Sequence, residues 1–270
     1  MFRKIAIAAL LAGLAAAPSL AHRQWLHPST TVVSGEKAWV TVDAAVSNDL
    51  FYFDHMPMRL DNVKVWRPDG TEGKLQNGST GRYRSVFDVQ LDAQGTWKIG
   101  TSNQGIMGSY KQGGEQKRLP RGAAAADLAK LIPADATDVQ ISENSSRNEI
   151  FVTAGAPTTT VLKPMGKGLE VEWLTHPNDL VSGEAAKLRF LADGKPAAGI
   201  EVEVVPGGVR YRDKPNDRTL NTDANGVLTV DFPTPGMYWM EAQLQDKNTT
   251  VPGATQRRLV YITTLEVLAP

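Results

Sequence analysis

Apolar and polar positions alternate with a period near two over most of this chain, which predicts half-buried β-strands. The clearest run sets Tyr83, Ser85, Phe87, Val89 and Leu91 on one side, with Arg84, Asp88 and Gln90 between them. Similar runs cover residues 40–46, 63–66, 96–99 and 149–153. A second set covers 169–173, 186–191, 200–205, 227–232, 238–243 and 258–267. Turn chemistry separates the runs, as in Pro68-Asp69-Gly70, Asp193-Gly194, Pro206-Gly207-Gly208, Asn225-Gly226 and Pro235-Gly236. Short strands with turns at this spacing predict β-sandwiches.

The pattern occurs twice. Trp25-Leu26-His27-Pro28 leads into Val33-Ser34-Gly35-Glu36, and Trp173-Leu174-Thr175-His176-Pro177 leads into Val181-Ser182-Gly183-Glu184. Further on, Arg147-x-x-Ile150-Phe151-Val152-Thr153 matches Arg257-x-x-Val260-Tyr261-Ile262-Thr263. A single long-period repeat means two copies of one plan rather than a solenoid. The expected fold is all-β, with two tandem antiparallel sandwiches of immunoglobulin-like or transthyretin-like type. The first covers 22–156, a linker covers 157–168, and the second covers 169–270. The first copy is longer by roughly thirty residues, and such insertions usually lie on the surface. This excess falls at 104–148, which reads as an irregular insertion because glycines and charges interrupt its alternation. Within it, the alanines and leucines of 123–132 predict a short helix that Pro133 stops.

Residues 1–21 read as a cleavable secretory signal: Arg3 and Lys4, an apolar core, then Ser19-Leu20-Ala21. The apolar run is too short to span a bilayer comfortably, so no membrane span is expected after cleavage. The chain has no cysteine, so export, read as export to a bacterial periplasm, leaves each half dependent on its apolar core. Basic and acidic residues number 29 each, so no cationic excess is available for nucleic acid. The absence of cysteine also excludes a thiol nucleophile. No nucleophile elbow or Gly-rich phosphate loop is evident, so an enzyme is not expected.

The expected mature start, His22-x-x-Trp25-Leu26, together with Phe151-Val152-Thr153-Ala154-Gly155-Ala156-Pro157, Asn178-Asp179-Leu180-Val181-Ser182-Gly183-Glu184 and Asp193-Gly194-Lys195-Pro196, resembles a bacterial periplasmic family of unknown function. The resemblance covers nearly the whole mature chain and implies a periplasmic component of nickel or cobalt uptake. Thr222-Asp223-Ala224-Asn225-Gly226 and Pro235-Gly236-Met237-Tyr238 resemble the transthyretin-type sandwich that accompanies carboxypeptidases. That domain is a non-catalytic accessory, so no catalytic residue is carried over.

Candidate chemistry centres on histidine. Cleavage after Ala21 would make His22 the first residue, offering its α-amine and imidazole to one ion. Asp54-His55-Met56 joins an imidazole to a carboxylate and a thioether, the thioether favouring Cu(I). His27 lies within reach of a shared ion, but its counterpart His176 argues for a scaffold role in both copies. The expected metal ligands are therefore His22, His27, His55, Asp54 and Met56, and the expected ion is nickel, cobalt or copper. The competing reading is a non-catalytic adaptor that meets a membrane transporter or receptor through 104–148, using Tyr110, Lys111, Lys117, Arg118 and Arg121.

Overall fold

A computed structural model describes residues 22–35 and 37–270. The expected signal, 1–21, and Glu36 lie outside the described residues. In chain order the first strands are β1 (Arg23–Pro28), β2 (Val32–Val33), β3 (Ala38–Ser47), β4 (Met56–Pro57), β5 (Val63–Trp66), β6 (Gln76–Thr80) and β7 (Ser85–Leu91). Next come β8 (Gly95–Gln112), β9 (Glu115–Arg118), helix α1 (Leu128–Leu131) and β10 (Thr137–Ala154). The second half adds β11 (Leu169–Trp173), β12 (Ala185–Ala192), β13 (Lys195–Pro196), β14 (Glu201–Pro206), β15 (Arg218–Asn221), β16 (Val227–Asp231), β17 (Gly236–Asp246) and β18 (Gln256–Val267).

The fold is all-β and sandwich-like, as the alternation predicts. The two halves, however, share a sheet. A nine-stranded sheet runs β15-β14-β17-β18-β10-β8-β5, with β2 on β10 and β9 on β8. Its middle seam is the parallel pairing of β10 with β18, from Ser142 opposite Gln256 to Glu149 opposite Thr263. A five-stranded sheet (β1-β3-β7-β6, with β4 on β3) covers the first half, and a four-stranded sheet (β11-β12-β13, with β16 on β12) covers the second.

The two covering sheets lie on opposite faces of the shared one. Ile150 lies in the first core with Leu26, Val42, Phe87, Trp97 and Ile99. Arg147, three positions earlier, must point to the other face of β10. Its partner across the seam is Tyr261, which packs in the second core with Phe190, Val204, Phe232 and Met240. A third cluster closes the gap beside the first sheet, where Trp25, Ala45 and Leu50 meet Val205, Trp239, Val260 and Ile262.

The stretch expected to be an irregular insertion is instead ordered. Its ends extend β8 and β10 as a long antiparallel ladder, and Gly113 and Gly114, with φ of 59° and 84°, turn the chain into β9. The expected short helix is present, and Leu128 packs with Ile106, Tyr110, Leu119 and Ile141. Tyr110 is thus a core residue of this lobe, not part of a docking surface. Lys111 pairs with Asp138 at 2.7 Å, and Lys117 donates to Gln112. Gly108 is a packing residue within a strand rather than a turn residue. A Cβ on Gly108 would lie 2.6 Å from the Gln140 carbonyl oxygen and 2.7 Å from Ile141 Cδ1. Gly108→Ala is therefore expected to destabilise the protein by about 1–3 kcal/mol in urea unfolding. Gly105→Ala, where a Cβ meets nothing within 4 Å, should serve as the near-neutral control.

The stretch expected to be a linker packs against the sheet, with Val161 and Leu162 buried on Phe151. Beneath it lies a buried ionic network. Lys98 and Arg147 approach Glu149 at 3.7 and 3.6 Å, and Arg147 approaches Glu170 at 3.4 Å. Lys98 also sits 4.6 Å from the centre of the Trp66 ring. Glu170 accepts backbone N–H groups from Met165, Gly166 and Lys167 at 2.9, 2.6 and 3.0 Å.

Candidate metal centre

Two segments far apart in sequence converge at one end of β3. β1 begins with Arg23 opposite Ser47, so His22 stands just beyond that end. On the other edge, Met56 pairs with Val46, which brings His55 to the same level. The two imidazole rings stack, with centroids 3.8 Å apart and planes 11° from parallel.

Each ring is carried by an anchored segment. Arg23 binds Glu203 at 2.6 Å and lies over the Trp239 ring, and Trp239 Nε1 donates to the Gln24 carbonyl at 3.0 Å. Trp25 is fully buried, and its Nε1 donates to Ser47 Oγ at 2.7 Å. The aromatic run 51–53 folds over it, Phe51 and Phe53 lying 5.5 and 5.7 Å from the Trp25 ring. Phe51 has φ of 60°, a left-handed conformation costly for a bulky side chain and sustained here by packing. Asp54 caps the loop, accepting N–H from Asn48 at 2.9 Å and from Asp49 at 3.2 Å.

These contacts sort the expected ligands. His22 and His55 are brought together. Asp54 spends both carboxylate oxygens on the loop backbone. Met56 is 44% exposed on the short edge strand β4. His27 is drawn away into an aromatic pocket, 4.6 Å from Phe51 and 6.3 Å from Trp25. His176 has the scaffold role that the repeat suggests. Its Nδ1 accepts the Asn178 N–H at 3.2 Å, and its Nε2 lies 3.0 Å from Thr96 Oγ1. Among the described residues no group of three or more His, Cys, Asp or Glu is arranged to hold a metal. A site here would rest on two imidazoles, with the α-amine of His22 as a third donor once the chain is cut before it. Rings stacked face to face do not aim their nitrogens at one point, so ligation requires them to turn edge-on. His22, exposed at the start of β1, is the ring with room to turn.

The strand reading missed two carboxylates beside this end of the molecule. Glu203 and Glu241 are register partners next to Arg23. Burial pushes the Glu241 carboxyl above its ordinary range and Glu203 adds to this, while Gln243, Arg258 and Arg23 oppose it. The available signal was Glu201 and Glu203 alternating with Val202 and Val204 on one strand.

Burial lowers the pKa of His27, outweighing the opposing pull of Asp43, and burial likewise lowers that of His176. Both therefore resist protonation when folded, while the unfolded chain takes up protons near 6.5. Below that pH the unfolded state binds more protons, so these residues make stability fall as pH drops through 6.5 toward the lower folded values. An NMR titration should place the His27 and His176 ring protons below 6.5; values at or above it would refute the assignment.

The family model described as Domain of unknown function (DUF4198) matches residues 19–246. The chain belongs to that family. No curated protein matches this DUF4198 chain. Among solved structures it is similar to a DUF4785 family protein from Legionella pneumophila, at 9% identity and a TM-score of 0.23, covering 81% of this chain and half, 50%, of the other. It is also similar to the D0-D1 domain of intimin, at 12% identity and a TM-score of 0.22, covering 90% and 97% of the two chains. Escherichia coli alpha-2-macroglobulin gives 10% identity and a TM-score of 0.22, covering 92% of this chain and 31% of that one. Among the described residues no helix is long and apolar enough to cross a membrane.

Proposed function

We propose that this DUF4198 protein binds a first-row transition metal in the periplasm and carries it to an envelope transporter. The observation that carries the reading is the His22–His55 pair, two imidazoles stacked at 3.8 Å that β1, β4 and the loop over Trp25 bring to one end of β3. In this reading the chain is exported, cut after Ala21, and uses the His22 amine and imidazole with the His55 imidazole. Neutral imidazole nitrogens suit nickel, cobalt and copper alike. The family resemblance to nickel and cobalt uptake supports the first two. The N-terminal histidine and Met56, next to His55, support copper.

The test begins with exported protein whose mass establishes His22 as the first residue. Calorimetric titration with Ni(II), Co(II) and Cu(II) should then give one tight site per chain for one of these ions. Placing one alanine before His22 should weaken binding by at least about a hundredfold, because it removes the amine–imidazole chelate. Equal affinity with and without the added alanine would defeat the reading.

A further inference from the structure

We propose that the outer edge of β8 between β5 and β9 is a docking site where an extended, acidic segment of a partner polypeptide adds to the shared sheet as a strand. The inference is independent of the metal reading and stands on a different part of the molecule.

On its outer side β8 is paired by β5 up to Thr101 and by β9 from Ser109 onward. Between them, Ser102 to Met107 has no backbone partner on that side among the described residues, apart from the inner ladder to β10. The Gly108 carbonyl accepts the Leu119 N–H across this edge. By the two-residue alternation of a strand, the N–H and C=O groups of Gln104 and Ile106 point the same way, outward. The gap is about 20 Å long, at roughly 3.3 Å per residue, which suits a short strand.

Exposed edges in natural sheets are usually blunted by lysine, proline or a covering loop. This one carries Asn103-Gln104-Gly105-Ile106-Met107, without charge or proline, and Met107 is 67% exposed. The adjoining sheet face forms a groove of about 580 Å³ that crosses β8, β10 and β18; Arg118 and Arg121 line its end at the β8 edge, Arg258 lies two strands inward on β18, and no carboxylate lines it. Among the described residues neither Arg118 nor Arg121 makes an ion pair, and Arg258 donates to Gln243. Backbone groups on the open edge supply affinity for any extended chain, and the Arg118 and Arg121 guanidinium groups select an acidic one.

The probe is a capped peptide alternating glutamate and valine, with its lysine–valine counterpart as control, added to the full exported chain. Amide hydrogen exchange should slow by at least about tenfold at Gln104 and Ile106 when the acidic peptide saturates. The lysine peptide, and the acidic peptide with Arg118→Glu/Arg121→Glu protein, should bind roughly tenfold or more weakly. Gln104→Pro removes an outward N–H while leaving the β10 ladder intact, and it should abolish the protection at Ile106. The double glutamate variant lies on exposed residues and tests the proposal even if Gln104→Pro fails to fold. Three results would overturn it: no binding of the acidic peptide, equal binding of both peptides, or protection at Gln104 and Ile106 that appears without peptide as the chain self-associates.

Discussion

Glu170→Ala is expected to destabilise the protein by about 3–5 kcal/mol, among the largest losses from any single substitution here. The carboxylate is buried and holds three backbone N–H groups of the 165–167 turn as well as Arg147. Removing it leaves those donors unsatisfied and strands the Arg147 charge in a site shared with Lys98 and Glu149. Glu170→Gln keeps the shape and one acceptor and should cost clearly less. Guanidinium unfolding of both variants checks the order. Equal and small losses would mean that the network is solvated and not a structural centre.

Trp25→Ala should cost a further about 3–5 kcal/mol, the range for deleting a large buried aromatic side chain. It should also do something other core truncations do not. Trp25 ties β1 to the loop that bears His55, through Phe51 and Phe53, and seats both on Trp239 and Ile262. Its loss should separate His22 from His55 and weaken the metal binding proposed for that pair. Phe190→Ala, in the core on the opposite face, should lose comparable stability while leaving metal affinity unchanged. Calorimetry at a temperature where both variants remain folded separates the two outcomes. Equal metal affinity in the two variants would show that Trp25 does not position the pair.

The strands were readable because burial of one sheet face imposes alternation, as Ser85, Phe87, Val89 and Leu91 illustrate. The shared sheet was not, because the β10–β18 seam joins residues more than a hundred positions apart and local pattern carries no register. The extension at 104–148 looked irregular because Gly108 reads as a turn residue, whereas close approach of the Gln140 backbone requires it. The buried charges were hidden among alternating polar positions, although the repeat held a clue. Arg147 and Arg257 occupy matching places, and both are buried in ion pairs, Arg257 with Asp193 and Asp246 at 2.7 Å each. His22 and His55 could be chosen by residue type, but their proximity depends on the fold of the aromatic loop over Trp25. His27 drew attention for the same chemical reason, yet its surroundings make it a packed ring.

The most direct measurement is the X-ray absorption fine structure of the metal-loaded, exported protein beside its His55→Ala variant. Scattering from two imidazole rings in the native chain and one in the variant is the expected result. The same number of imidazoles in both proteins, or none in either, would contradict a metal centre built from His22 and His55.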